Sequence, residues 1–135
     1  MPARVLIIED EFLIAADMES MLDECGHNCI GIADDFESAR QFVDQKPEIA
    51  LVDVNLSDGA TGPKIAAYLA RELGTSIIFV TANPRQINSK VPGALGIVSK
   101  PVEVNLICEA VAYAHKLRQG SPTPSPPPGL QLLGA

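Results

Sequence analysis

The stretch Ile49-Ala50-Leu51-Val52-Asp53-Val54-Asn55 organises the reading of this chain. Four apolar residues run straight into a carboxylate, and Leu56 and the turn pair Asp58-Gly59 follow shortly after. A continuous apolar run bounded by turn residues suits a strand buried on both faces, as in a parallel sheet. Asp53 then stands at the carboxyl end of that strand, where open α/β sheets bind their ligands. Taken alone, such an acid is equally well read as the cap of a following helix. The charged residues expected around it decide between the two.

Working outward, Arg4-Val5-Leu6-Ile7-Ile8 reads as a first buried strand that stops at Glu9-Asp10-Glu11. Phe12 to Cys25 carries Ile14, Met18, Met21, Leu22 and Cys25 at helical spacing, with Asp17, Glu19, Asp23 and Glu24 on the other face. Cys29 to Ala33 is a short second strand, and Asp34 or Asp35 caps a helix expected over Phe36 to about Gln45. Pro63 and Gly74 bracket a third helix, and Ile77 to Val80 is a fourth strand ending at Thr81. Residues 84–95 contain Pro84, Asn88, Ser89, Pro92 and Gly93, which leaves a short turn of helix or a mobile loop. Gly96 to Ser99 is a fifth strand ending at Lys100-Pro101, and Glu103 to about Arg118 forms the last helix. Residues 120–135, rich in Pro, Gly and Ser, are expected to be an extended, disordered tail behind a domain of residues 1–119.

Strands alternating with helices predict a (βα)5 doubly wound parallel sheet with a degenerate fourth helix. Right-handed crossovers favour the flavodoxin-like order 2-1-3-4-5, which sets strands one and three side by side at the switch point. Glu9, Asp10, Asp53, Thr81 and Lys100 would then converge on one edge.

Composition narrows the function classes. Hydrophobic residues make up 47% of the chain, yet no apolar run approaches the roughly 18 residues of a membrane span. Three cysteines with no paired spacing suit a reducing compartment, and the expected location is cytoplasmic. The net charge is −7, and residues 1–60 hold 14 of the 17 acids against Arg4, Arg40 and Lys46. That distribution offers no basic stripe for nucleic acid and suits a cation site or a basic partner. Cys25-Gly26-His27-Asn28-Cys29 lacks a fourth ligand nearby, so Cys29 and Cys108 are read as core residues rather than zinc ligands. His115 is read as solvent-facing on the last helix.

Carboxylates this close repel by about 4 kcal/mol per pair at an effective dielectric of 20, which a bound cation would relieve. Hard oxygen ligands with room for water favour Mg²⁺. A metal together with Lys100 would suit a phosphoryl group, with Asp53 as nucleophile and Thr81 offering its hydroxyl to a phosphoryl oxygen.

The motifs Val5-Leu6-Ile7-Ile8-Glu9-Asp10-Glu11, Leu51-Val52-Asp53, Asp58-Gly59, Val80-Thr81-Ala82 and Ser99-Lys100-Pro101, taken together and in order, resemble the CheY-like receiver domains of two-component signalling over about residues 4–118. The resemblance implies that Asp53 accepts a phosphoryl group from a sensor histidine kinase or a histidine phosphotransferase. It implies Mg²⁺ held by Glu9, Asp10, Asp53 and the Asn55 carbonyl, with Thr81 and Lys100 contacting the phosphoryl group. It also implies a cis Lys100–Pro101 bond, as proline permits, and places Ala82 beside the phosphoryl site. Asn55 and Asn83 fall where the family tunes hydrolysis. The nearest flavour is the single-domain and general-stress receivers of alphaproteobacteria.

Two departures stand out. Ile97 occupies the position of the family's usual switch aromatic, and residues 84–95 replace a full helix. Together they suggest that phosphorylation orders a loop rather than turning a ring. No DNA-binding segment is visible after residue 120, so signalling is expected to pass through partner proteins, with a homodimer through the last strand and helix as one option. Among rivals, haloacid-dehalogenase phosphatases place the nucleophile on the first strand, unlike Asp53. An FMN binder would need a phosphate cradle where Glu9-Asp10-Glu11 stand. A pseudo-receiver that is never phosphorylated is the remaining alternative.

Overall fold

A computed structural model describes residues 2–87, 91–120, 122 and 124–133. The chain runs β1 (Arg4–Ile8), α1 (Phe12–Glu24), β2 (Asn28–Ala33), α2 (Phe36–Arg40), β3 (Ile49–Val52), α3 (Gly62–Leu73), β4 (Ser76–Thr81), β5 (Ala94–Ser99), α4 (Val104–Arg118) and β6 (Gln131–Leu132). The sheet order is β2-β1-β3-β4-β5-β6, parallel throughout except for β6. Alternation along each strand feeds two cores. Val5, Ile7, Leu51, Ile78, Val80 and Val98 face α1 and α4. Leu6, Ile8, Ala50, Val52, Ile77, Phe79 and Ile97 face α2 and α3. Because both faces are covered, the strands read as unbroken apolar runs.

Three expectations need correction. The second helix stops at Arg40 rather than Gln45, and a 3₁₀ turn over Val43–Gln45 follows. Asp35 starts this helix with a capping box, its Oδ1 accepting from the Ser38 amide at 2.8 Å. It ends early because Phe42 must lie against Gly31, where any β-carbon would collide with the ring. Second, the C-terminal segment is not a loose end. Leu130 is 5% exposed, Pro127 is buried, and Gln131–Leu132 pairs antiparallel with β5. That part of the expected disordered tail is ordered in a strand addition, while residues 121, 123, 134 and 135 lie outside the described residues. Third, His115 is half-buried and sits edge-on to His27, ring centroids 5.8 Å apart. Between β4 and β5 the chain makes a 3₁₀ turn over Pro84–Gln86, and the expected turn residues Asn88 and Ser89 lie outside the described residues.

Candidate functional site

Backbone pairing beyond the strand ends fixes the site. The Glu9 amide donates to Ala33 O, the Asp53 amide to Ile8 O at 2.9 Å, and the Lys100 amide to Thr81 O at 3.0 Å. These bonds carry the ladder of the sheet one residue past each strand, so the side chains that follow are held by the core. The first turn of α3 adds a close approach. Gly62 lies against the backbone of Asp53, its amide bonded to Val54 O at 3.0 Å, and a β-carbon there would collide with Asp53 O.

The sequence-nominated residues meet. Lys100 Nζ lies 2.7 Å from Glu9 Oε1 and 2.9 Å from Asp53 Oδ2. Carboxylate oxygens of Glu9, Asp10 and Asp53 all fall within 4.8 Å of one another. Asp10, Asp53, Asn55, Thr81, Ala82, Asn83 and Lys100 line a cleft of about 220 Å³, which also includes Glu11 and Leu56. The Lys100–Pro101 peptide is cis. Thr81 is fully buried, and its Oγ1 accepts from the Asn83 amide at 3.1 Å, which leaves the hydroxyl hydrogen for another acceptor. Ile97 does not reach the cleft. It is buried in the core on the α2–α3 face, where Ile87 and Val91 of the preceding loop and Ala94 at the start of β5 also pack.

Burial divides the acids. Glu9 is 1% exposed, and its desolvation pushes the carboxyl up to about 7 despite the opposing Lys100 ammonium and the Glu11 amide on Oε2. Oε1 is close to Lys100 but poorly aligned for a hydrogen bond. Burial pulls Lys100 the other way, yet the adjacent Glu9 and Asp53 carboxylates outweigh this and raise it. Asp10 is exposed at the rim. With all groups ionised, three carboxylates against one ammonium leave a formal −2. Hard oxygens carrying that excess fit a divalent cation such as Mg²⁺.

Two further features beside the site were not singled out from the sequence. Gln86 Oε1 accepts from Asn55 Nδ2 at 2.9 Å, tying the turn after β4 to the loop after β3. Phe12 and Leu13, 77% and 76% exposed, follow directly on Glu11. An exposed apolar pair at the start of an amphipathic helix could have been flagged from the helical period alone.

This architecture is shared. The chain belongs to the response regulator receiver domain family, which it matches over residues 5–112. It is 31% identical over 124 residues to the phyllosphere-induced regulator PhyR of Methylorubrum extorquens, covering 90% of this chain and 46% of that protein. Its identity to the transcriptional regulatory protein PdtaR of Mycobacterium tuberculosis is 31% over 117 residues, covering 84% of this chain and 57% of that one. The receiver domain of Erythrobacter litoralis PhyR superimposes with a TM-score of 0.78 at 30% identity, covering 92% and 97% of the two chains. Brucella abortus PhyR gives 0.80 at 29%, covering 89% of this chain and 50% of its own. The chain therefore spans about half the length of the curated relatives it matches. No helix among the described residues is long and apolar enough to cross a membrane.

Proposed function

We propose that Asp53 is the phosphoacceptor of a two-component phosphorelay. The observation carrying this reading is the Lys100 ammonium held 2.9 Å from an Asp53 oxygen at the head of a cleft that also holds Asp10 and Thr81. An Asp53 oxygen attacks the phosphorus of a phosphohistidine, and the P–N bond breaks with its electron pair returning to the imidazole, which then takes a proton. Lys100 and the Thr81 hydroxyl hold the phosphoryl oxygens as charge grows on them. Glu9, Asp10 and Asp53, with the Asn55 carbonyl, would hold a divalent cation whose charge offsets that of the incoming group. The sheet edge keeps the carboxylate fixed, so the chain contributes positioning and electrostatics rather than a base.

The donor is a sensor histidine kinase or a histidine phosphotransferase, and Phe12 and Leu13 give its helices an apolar contact beside the cleft. The similarity to PhyR receivers supports placing this chain among stress-type regulators that act through protein partners. Incubation with acetyl phosphate and Mg²⁺ should add one phosphoryl group by intact mass. Asp53→Asn or EDTA should abolish the gain. Uptake that survives Asp53→Asn would assign the chemistry to another residue.

A further inference from the structure

The outer edge of β5 is covered by the chain's own C-terminal segment, and the fit is specific. Gln131 pairs with Ile97 and Leu132 with Gly96, and the Leu133 amide donates to Leu95 O at 3.0 Å. Leu130 enters the core on the α1–α4 side, and Leu133 packs on the opposite face of the sheet. A glycine inside a strand costs stability unless something approaches closely. Here a β-carbon on Gly96 would lie 2.8 Å from both Gln131 O and Leu130 Cδ1, and one on Gly129 would lie 2.6 Å from Leu106 Cδ2 of α4. Pro124, Ser125 and Pro127 run beside Tyr113 and Lys116 of α4. Both surfaces are thus cut to each other.

We propose that the β5–α4 edge is a strand-addition site whose ligand is segment 127–133, and that the same segment of a second copy fills it when the resident one is displaced. Three features favour a second copy over a foreign peptide. The groove matches this sequence at two glycines and an anchoring leucine. Residues 119–133 carry no charge, so an incoming segment is not repelled by a chain of net charge −7. Residues 119–126, with Pro122, Pro124 and Pro126, can span roughly 25 Å if extended as polyproline II, enough to reach a neighbouring chain. In one molecule the tether favours the resident segment through effective concentration. Exchange therefore emerges only where one groove is empty and another segment is loose, which is the logic of domain swapping.

The test uses two variants of the full chain. Leu130→Asp leaves the groove intact but spoils the segment. Gly96→Ala spoils the groove, since its methyl meets segment atoms first, and releases an intact segment. Each alone should sediment at single-chain mass, and an equimolar mixture at high concentration should shift toward twice that mass. The Leu133 amide of labelled Gly96→Ala should exchange rapidly alone and become protected in the mixture. A mixture that stays at single-chain mass overturns the exchange. A Leu133 amide as protected in Gly96→Ala as in the parent overturns the docking itself. Equal association by either variant alone would place the contact elsewhere and overturn it as well. Gly129→Val, which also spoils the segment, replaces Leu130→Asp if that variant misfolds.

Discussion

The Lys100 ammonium lies between two carboxylates, 2.7 Å from Glu9 and 2.9 Å from Asp53, with its side chain only 11% exposed. Removing one partner of a buried ion pair costs roughly 3–5 kcal/mol because the other charge is left uncompensated. Lys100→Met should therefore destabilise the metal-free chain, and less at pH 6 than at pH 8, since Glu9 can take up a proton at the lower pH. Melting curves at both pH values check this. Glu9 itself sets a second dependence. Burial raises its carboxyl to about 7 from 4.5, so between those values the folded state holds more protons than the unfolded one. In EDTA, stability from this group should fall as pH rises from about 4.5 to 7 and level off above. Glu9→Gln should flatten that profile, and an unchanged slope would show that Glu9 is not its source. The acid cluster and Lys100 were legible from strand-end positions alone. The division of labour was not: burial makes Glu9 the partner of Lys100 and leaves Asp10 at the rim, and no property of the Glu9-Asp10-Glu11 run distinguishes them before the chain folds.

Elements built from unbroken apolar runs were readable from the sequence, because both faces of the sheet are covered and each run ends at a polar or charged residue. Among the described residues, the short turn over Pro84–Gln86 that follows β4 was readable from Pro84, Pro92 and Gly93. The early end of α2 was not, since the cause is a contact with Gly31 across the fold rather than a local breaker. The β6 addition was hidden by its proline-rich approach, although Gly129-Leu130-Gln131-Leu132 has the alternation of an edge strand. At this scale α3 is a support for the site. Gly62→Ala should force its first turn away from Asp53, costing about 1–3 kcal/mol as overpacking does and slowing phosphoryl uptake. Thermal denaturation and uptake rates measure the two effects. The turn at Pro84–Gln86 is tied to Asn55 through Gln86, and Ile97 shares its core with Ile87 and Val91. A phosphoryl mimic should therefore change amide exchange in residues 84–87 and 91–95, and unchanged exchange there would remove the loop from the response.

Across the whole molecule, one sheet edge gathers residues separated by up to 91 positions, from Glu9 to Lys100, and leaves them with a formal negative excess. A divalent cation should bind the folded chain in preference to the unfolded one and raise its melting temperature. Asp53→Asn, with one charge fewer, should gain less from Mg²⁺. The receiver family and the fold order were legible because the switch point between β1 and β3 fixes where the motifs meet. The two-sided packing of the C-terminal segment was not, because it depends on Gly96 being small in a strand that reads equally well without a neighbour. The central claim is that this edge holds a cation and a phosphoryl group together around Asp53. It is tested most directly by titrating the ¹⁵N-labelled chain with beryllofluoride, a phosphoryl mimic, in the presence and absence of Mg²⁺. Saturable shifts at Asp10, Asp53–Leu56, Thr81–Asn83 and Lys100 that require Mg²⁺ and vanish in Asp53→Asn are the predicted result. Shifts that leave these residues unmoved, or shifts at these residues that persist in Asp53→Asn, would contradict it.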